Sequence, residues 1–484
     1  MKSISLQQNI VRRTLKNSIL DGACSSAMLG MTQSYVVPFA LALKATTGQI
    51  GLLSSIPSLF MALSQLLAPR LTERAGSRKR FILAVVLMHA LMWIPVLLIP
   101  DVFPGNKVWW LIGFMTLTTV FGSLANPAWG SMMADLVPEN ARGQYFSLRG
   151  RVCDFVLLFV SFAAGGILQW TTGRPFLGFS AIFAGAVVFR LASWCFLYRM
   201  NEPRMHEPVL VRKTADRITL RSTMKKMWSS NLGRFTAYVS LVNFATCMCG
   251  PFFAVYMLRE LGFDYLTYIS INATSVLATI VFLAVWGKRA DRAGNARIMR
   301  ITSCLIPFVP LLWLVSRQVY YLIPIQILSG FAWSGFNLAS SNFLYDASPR
   351  ESRTQSIAIF NAVNGVAMCL GALMGGYLVP RLPQLLGSNL LCLFLISGVL
   401  RGLVVASPLS RISEVRRVPK VSTLRLIFGK PVLLWVGIRD RLELVLPSLQ
   451  WQTGIAIPSL VPAAVQWTYE SAEASRGPPV LDDS

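Results

Sequence analysis

Pro69-Arg-Leu-Thr-Glu-Arg-Ala-Gly-Ser-Arg-Lys-Arg80 is a short basic loop between two long apolar runs. A second loop, Gly287-Lys-Arg-Ala-Asp-Arg-Ala-Gly-Asn-Ala-Arg297, also separates two apolar runs. Both contain an acid, an arginine, one further residue and a glycine in the same order: Glu73, Arg74 and Gly76, then Asp291, Arg292 and Gly294. A charged turn between membrane helices is common, but the same order in matching places indicates a duplicated architecture.

The composition indicates a membrane protein. Hydrophobic residues make up 54% of the chain and charged residues 14%. Apolar runs of about 20 residues recur, and each is long enough to cross about 30 Å of hydrocarbon as a helix. In a soluble protein the formal charge of +24 would suggest nucleic-acid binding. Here the cations collect in loops on one membrane face, so we predict contact with the lipid bilayer and no nucleic-acid partner.

The predicted fold is an all-α polytopic membrane protein with twelve transmembrane helices in two pseudo-symmetric six-helix bundles. The predicted spans are residues 17–43, 48–69, 81–100, 108–134, 143–170, 175–199, 233–258, 265–287, 298–316, 319–344, 354–380 and 388–409. The domains are an N-terminal half (1–199), a basic cytoplasmic linker (200–232), a C-terminal half (233–410) and a cytoplasmic tail (411–484). Several prolines in the tail favour a peripheral or disordered segment over a thirteenth span.

The loops also predict an orientation. Lys and Arg cluster in the linker and in the loops after the second and eighth spans, whereas each loop on the opposite side carries about one cation. The positive-inside rule therefore places both termini and the linker in the cytoplasm. We expect a multi-pass protein of the plasma (bacterial inner) membrane.

The two halves repeat in detail. Asp, two residues, Pro, three residues, Arg, one residue and Gln occur in that order at 135–144 and again at 346–355, an offset of 211 residues. The same offset relates three further pairs: Asn126 and Asn337, Gly165 and Gly376, Arg190 and Arg401. A constant offset from the fourth to the sixth span supports the duplication more strongly than any single motif.

Two six-helix halves, a basic linker and paired acid-Arg-x-Gly loops together resemble the major facilitator superfamily over about residues 10–410. The family pattern is Gly-x-Leu-x-Asp-Arg/Lys-x-Gly-Arg/Lys-Arg/Lys. The first loop departs from it at Pro69, Glu73 and Ser77, and the second lacks the Leu and the final basic pair. The resemblance implies a twelve-helix fold, alternating access, and a loop that locks the outward-facing state.

The gate residues that the resemblance implies are Glu73, Arg74, Gly76, Asp135, Arg142, Asp291, Arg292, Gly294, Asp346 and Arg353. A carboxylate in such a loop can cap a helix N-terminus, and an arginine can pair with a nearby acid. The alternative is that these charged side chains only face water at the turns between helices. Proton-driven drug exporters of the family carry an Arg in the fourth helix and a Gly-Pro pair in the fifth, and this chain has neither.

Polar residues on the helices that line the cavity of this fold are the candidate substrate contacts, because polar groups in lipid are costly. They are Asp21, Gln33, Asn126, Trp129, Asn243, Trp333, Asn337, Asn361 and Asn364. Amides and indoles suit a small polar or amphipathic solute. Hydrogen bonding between helices is the alternative for each Asn, and packing is the alternative for each Trp.

Asp154, Arg190 and Arg401 are the predicted buried charges. Counting residues from the ends of the fifth and sixth helices places Asp154 and Arg190 at nearly the same depth. We hypothesise a buried ion pair between them. Arg149 and Arg151 are competing partners for Asp154, Arg151 being the stronger, and a role of Asp154 as a proton carrier is the alternative. Gly365 occupies the position equivalent to Asp154 in the second half, so Arg401 has no acid there. We therefore expect Arg401 to bond Asn361 or Asn364.

The predicted function is a monomeric secondary active transporter of a small-molecule solute, with protons as the candidate coupling ion. The first alternative is proton-coupled export of amphipathic compounds. The alternative from another class is a sensor or scaffold whose tail binds a partner. No nucleophile–base set or phosphate loop is present, so we predict no enzyme activity, no cofactor and no metal site.

Overall fold

The computed structural model describes residues 2–137, 142–202, 228, 230–348, 353–410 and 412–415. Within these ranges the chain is helical, and its β structure is limited to one isolated bridge. Most of the predicted linker and nearly all of the predicted tail lie outside the described residues.

The first six helical spans carry the labels α1 to α6. They are α1 (Lys2–Thr32 and Val36–Ala42), α2 (Thr47–Arg74), α3 (Arg78–Leu91 and Trp93–Val102), α4 (Lys107–Leu136), α5 (Arg142–Trp170) and α6 (Pro175–Tyr198). The predicted start of the first helix at residue 17 is wrong, because the basic segment before it continues α1. That segment contains neither proline nor glycine, so nothing in it interrupts a helix.

The next six spans carry the labels α7 to α12. They are α7 (Asn231–Cys249, Phe252–Val255 and the π-helical turn Tyr256–Glu260), α8 (Tyr265–Ala293), α9 (Asn295–Ser303 and Phe308–Leu312), α10 (Val319–Ala347), α11 (Arg353–Leu378) and α12 (Asn389–Ala406). Among the described residues, nine helices are long and apolar enough to cross a membrane by length and composition. The three spans below that threshold are α1, α2 and α9.

Several helices begin at residues whose side chains accept bonds from the first backbone N–H groups. Thr46 and Gln49 form a reciprocal capping box at the start of α2. Asn106, Asp264 and Ser388 cap α4, α8 and α12 through one side-chain oxygen that accepts from the first turn. The local sequence therefore fixes where these helices start.

The interruption in α1 lies just before Pro38. Proline has no N–H to donate to the carbonyl four residues earlier, and its ring crowds that carbonyl. The helix is interrupted between Thr32 and Val36. The carbonyl oxygen of Ser34, whose helical donor would be the N–H that Pro38 lacks, accepts from the hydroxyl of Tyr268 in α8 at 2.9 Å. The matching interruption in α7 falls at Gly250 and Pro251.

The packing of the helices determines which polar residues can meet. In the first set of helices (α1 to α6), α1 packs against both α5 and α6, and α2 packs against α4. In the second set of helices (α7 to α12), α7 packs against α11 and α12, and α8 packs against α10. The two sets meet through α2 with α11, α5 with α8, and the ends of α1 and α7 that follow the kinks.

Candidate functional site

Both acid-Arg-x-Gly loops place their glycine at a positive φ angle. Gly76 and Gly294 have φ angles of 65° and 87°, in the left-handed region that favours glycine. The shared glycine therefore permits the sharp turn from α2 into α3 and from α8 into α9. The other predicted gate residues of these two loops are Glu73, Arg74, Asp291 and Arg292. Glu73, Arg74 and Arg292 are exposed, and the side chain of Asp291 is not among those that the structure describes.

A carboxylate from the end of each six-helix set caps the helix that follows each loop. Glu202, after α6, accepts from the backbone N–H of Arg78 at 2.9 Å and from the hydroxyl of Ser77 at 2.6 Å. Glu414, within the predicted tail, accepts from the N–H of Ala296 at 2.8 Å. Negative charge stabilises a helix N-terminus, so both acids hold the loops in place. Sequence reasoning missed them, although each follows the last helix of its set closely.

Asp135 and Asp346 contact the first residues of α3 and α9. Nη1 of Arg78 donates to Asp135 at 2.7 Å, and Nδ2 of Asn295 donates to Asp346 at 2.9 Å. The partner that the structure gives Asp135 is therefore Arg78, which the predicted gate did not include. The side chains of Arg142 and Arg353 lie outside the described residues.

A charged cluster lies among α1, α5 and α6. The Ser193 hydroxyl donates to Asp21 at 2.6 Å, and Nη2 of Arg149 lies 3.6 Å from the same carboxylate. Arg190 donates to the Ser25 hydroxyl at 2.9 Å and to Ser193 at 3.3 Å. Ser193 therefore bridges Arg190 to Asp21, and both charged residues are more than nine-tenths buried.

The hypothesised Asp154–Arg190 ion pair is not formed. Arg190 faces Asp21, whereas Asp154 is exposed on α5. Because α1 packs against both α5 and α6, its Asp21 can contact Arg149 of α5 and Ser193 of α6. At about 100° per residue, Asp154 also lies about 140° around α5 from Arg149, which does contact Asp21.

Arg401 does not bond the amides of α11 as predicted. It donates to the sulfur of Cys249 at 3.0 Å and to the carbonyl oxygen of Ile306 at 3.3 Å, and it is 2% exposed. Asn364 of α11 instead accepts from Nδ2 of Asn243 in α7 at 2.8 Å. The two amides that were separate candidates are therefore one hydrogen-bonded pair.

Asn126 and Asn337 are exposed at equivalent positions of α4 and α10. The ring of Trp129, one turn from Asn126, lies 4.3 Å from the Arg149 guanidinium. Its indole Nε1 is buried, with no hydrogen-bond partner among the described residues. Of the other candidates, Gln33 is exposed, and Asn243, Trp333, Asn361 and Asn364 are half-buried.

Two hydrogen bonds join the sets at the face opposite the linker, here called the far side. Nη2 of Arg259 donates to the carbonyl oxygen of Ala45 at 3.0 Å, and Tyr268 donates to Ser34 at 2.9 Å. The site of each bond lies near the kinked ends of α1 and α7. Neither bond was predicted, because each accepts at a backbone carbonyl that no side-chain pattern reveals.

Small residues bring α2 and α11 into close contact on the same far side. A Cβ placed on Gly51 would lie 2.8 Å from the carbonyl oxygen of Ala372 and 3.0 Å from the Cα of Gly376. Glycine at this crossing therefore allows the two backbones to approach, as small residues do between membrane helices.

Comparison with known proteins gives one family and many similar folds. Residues 25–383 match the family described as MFS_1 like.

A mutant of the nucleoside transporter NupG aligns with a TM-score of 0.65 at 13% identity, covering 82% of this chain and 98% of that one. A D-xylose-proton symporter aligns with a TM-score of 0.62 at 14% identity, covering 84% and 99%. A bacterial homologue of the human lysosomal transporter Spinster aligns at 0.57 and 14%, covering 77% and 83%. At these identities the likeness shows the fold alone, and no curated protein matches the sequence.

Proposed function

This chain belongs to the MFS_1-like family of the major facilitator superfamily, and on that premise we propose that it moves a small polar or amphipathic solute by alternating access. Membership confirms the predicted resemblance and makes the protein a membrane transporter rather than an enzyme. The substrate, the direction of movement and the coupling ion belong to the proposal.

The observation that carries the proposal is the exposure of Asn126 and Asn337 at equivalent positions of two membrane helices. An amide that faces hydrocarbon would lose its hydrogen bonds to water at a cost of several kcal/mol. Exposed amides within these membrane helices therefore favour a water-filled cavity between the two sets. Hydrogen-bonding groups in such a cavity orient a polar solute.

The test is solute counterflow in proteoliposomes with labelled nucleosides, pentoses and organic acids. We expect at least one class to exchange, and we expect the double variant Asn126→Leu with Asn337→Leu to lower exchange by roughly tenfold, about 1.4 kcal/mol. Thr274→Val is the control, because that hydroxyl bonds within its own helix. Exchange that is equal in the double variant and the control would contradict a role for the paired amides.

We also propose that both termini and the linker are cytoplasmic, because the cations cluster on that side. Single cysteines placed at Lys107 and Arg217 test this orientation in intact cells. We expect an impermeant thiol reagent to label Lys107→Cys and to spare Arg217→Cys. The reverse pattern would overturn the topology.

The acid-Arg-x-Gly loops are proposed to be the linker-side gate. Glu202 and Glu414 hold each loop against its own set, and Arg78 and Asn295 tie it to the ends of α4 and α10. These contacts make each loop a fixed part of its own set. The exposed Glu73, Arg74 and Arg292 can then contact the opposite set when the gate closes.

Proton coupling is the second candidate property, and Asp154 is the residue that favours it. Its carboxylate is exposed on α5 at about 18 Å from the start of the helix, at about 1.5 Å per residue. Because the ion pair with Arg190 is not formed, the alternative role as a proton carrier becomes the preferred one.

A further inference from the structure

Arg149 of α5 is the partly exposed cation of the charged cluster. Its Nε donates to the carbonyl oxygen of Ser18 at 3.1 Å, and its Nη2 lies 3.6 Å from Asp21. Its side chain is 20% exposed, compared with 6% for that of Asp21. A Cβ on Gly22 would lie 2.7 Å from Nη2, so this glycine provides the space that the guanidinium occupies. Arg149 is therefore held in position while part of it stays accessible.

Positive charge exceeds negative charge in this cluster. Asp21 faces both Arg149 and Arg190, the latter through Ser193. Asp154 is the next acid on α5, but it lies about 140° around the helix from Arg149. Among the described residues of the cluster, two guanidiniums thus share one carboxylate. Unbalanced charge is costly in a cluster as buried as this one, and a bound monoanion would offset it.

The groups beside Arg149 are hydrogen-bond donors that match an anion. Trp129 stacks on the guanidinium, and its buried N–H lacks a partner among the described residues. Asn126 is exposed one turn away on the same helix. An indole donates only, an amide both donates and accepts, and a carboxylate accepts at both oxygens. Hydrogen bonds to an ionised group are roughly twice as strong as neutral ones.

At the position that matches Arg149, the second set of helices carries a phenylalanine instead of a cation. Phe360 stands 211 residues after Arg149, and its ring stacks on Phe235 with centroids 5.4 Å apart. The polar groups of α7 and α11 include the hydrogen-bonded amides Asn243 and Asn364. The two sets are therefore chemically unlike, with one charged contact and one neutral polar contact.

We propose that the transported solute is a small organic monoanion whose carboxylate binds Arg149 beside Trp129 and Asn126. Its uncharged polar part faces the amides of α7 and α11. This inference rests on the proposed transport function and names the solute class for the same cavity. An indole face and several amides suit carbon-bearing solutes, so an organic anion fits the site better than chloride.

The test is thermal stabilisation of the purified full-length protein, because a ligand that binds only the folded state raises the melting temperature. The probes are monocarboxylates of increasing chain length, and each is compared with the corresponding neutral alcohol and amine. D-glucuronate, D-glucose and D-glucosamine form one matched set, and chloride is the inorganic anion. We expect stabilisation by at least one monocarboxylate and a much smaller effect of its neutral and cationic partners. Arg149→Gln should weaken the apparent affinity for that monocarboxylate at least tenfold, and Trp129→Phe about threefold, as loss of hydrogen bonds to an ionised group implies.

Gly22→Ala provides an independent variant, because the added Cβ crowds both the Arg149 guanidinium and the sulfur of Cys153 without removing a charge or a donor. It should weaken binding of the monocarboxylate, whereas Gly150→Ala, where an added Cβ meets nothing within 4 Å, should not. Arg174→Gln, in an exposed loop, controls for the loss of one positive charge.

Stabilisation by neutral or cationic probes alone, by chloride as strongly as by organic anions, or by no probe would overturn the anion inference. Anion binding that persists unchanged in Arg149→Gln would overturn it as well. Counterflow of a neutral nucleoside or pentose would leave the proposed transport function standing in each case. Binding of a monocarboxylate that depends on Arg149, without counterflow of any solute, would instead support the site and refute transport.

Discussion

Replacing Asp21 with asparagine is expected to lower the free energy of unfolding by about 3–5 kcal/mol, the usual cost of removing one partner from a buried ion pair. Asp21 is 4% exposed and faces both Arg149 and Arg190. The introduced amide can still accept from Ser193, but the substitution leaves two guanidiniums without a carboxylate. The melting temperature and the folded yield of the purified protein measure the loss.

A second substitution distinguishes charge imbalance from a simple change of shape. Adding Arg190→Gln to Asp21→Asn removes the more deeply buried unpaired cation and should recover part of the loss, with a coupling energy of about 1–3 kcal/mol. Asp154→Asn is the matched control, since that carboxylate is exposed. It should melt like the parent protein. Equal destabilisation by Asp21→Asn and Asp154→Asn, or no recovery in the double variant, would contradict the assigned pairing.

The order of helices and the position of the loop glycines could be predicted because local sequence determines them. Apolar runs and capping residues define where helices begin and end, and only a turn with positive φ requires glycine at both 76 and 294. The constant offset identified the exposed pair Asn126 and Asn337 for a similar reason. Equivalent positions in a duplicated chain occupy equivalent environments.

The partners of the buried charges could not be predicted in the same way. Counting residues gives the depth of Asp154 and Arg190, but it does not give the direction in which each side chain points. That direction depends on packing, and α1 packs against both α5 and α6. Asp21, far away in sequence, is therefore the acid that reaches Arg190. Arg401 shows the same limit, because its acceptors are a sulfur and a backbone carbonyl.

Gly51→Leu is expected to reduce turnover at least about fivefold while leaving the protein folded. The added Cβ would lie 2.8 Å from the carbonyl oxygen of Ala372, so α2 and α11 must separate on the far side. A steric cost of about 1–3 kcal/mol is typical of overpacking. A cost of that size shifts a two-state equilibrium by about 5- to 150-fold. The helices within each set keep their own contacts, so the shift should fall on the far-side closed state rather than on folding.

The readout is the accessibility of a cysteine at Ile269, a residue of α8 that is 2% exposed and lies beside Gly165 of α5. In a background without native cysteines, Ile269→Cys should react slowly with an impermeant reagent in the parent protein and faster in Gly51→Leu. Gly113→Leu is the matched control, because an added Cβ at that helical glycine meets nothing within 4 Å. Faster labelling with lower turnover in Gly51→Leu alone would mean that the α2–α11 crossing must close in every transport cycle. Unchanged labelling and unchanged turnover would show that the crossing does not form part of the far-side gate.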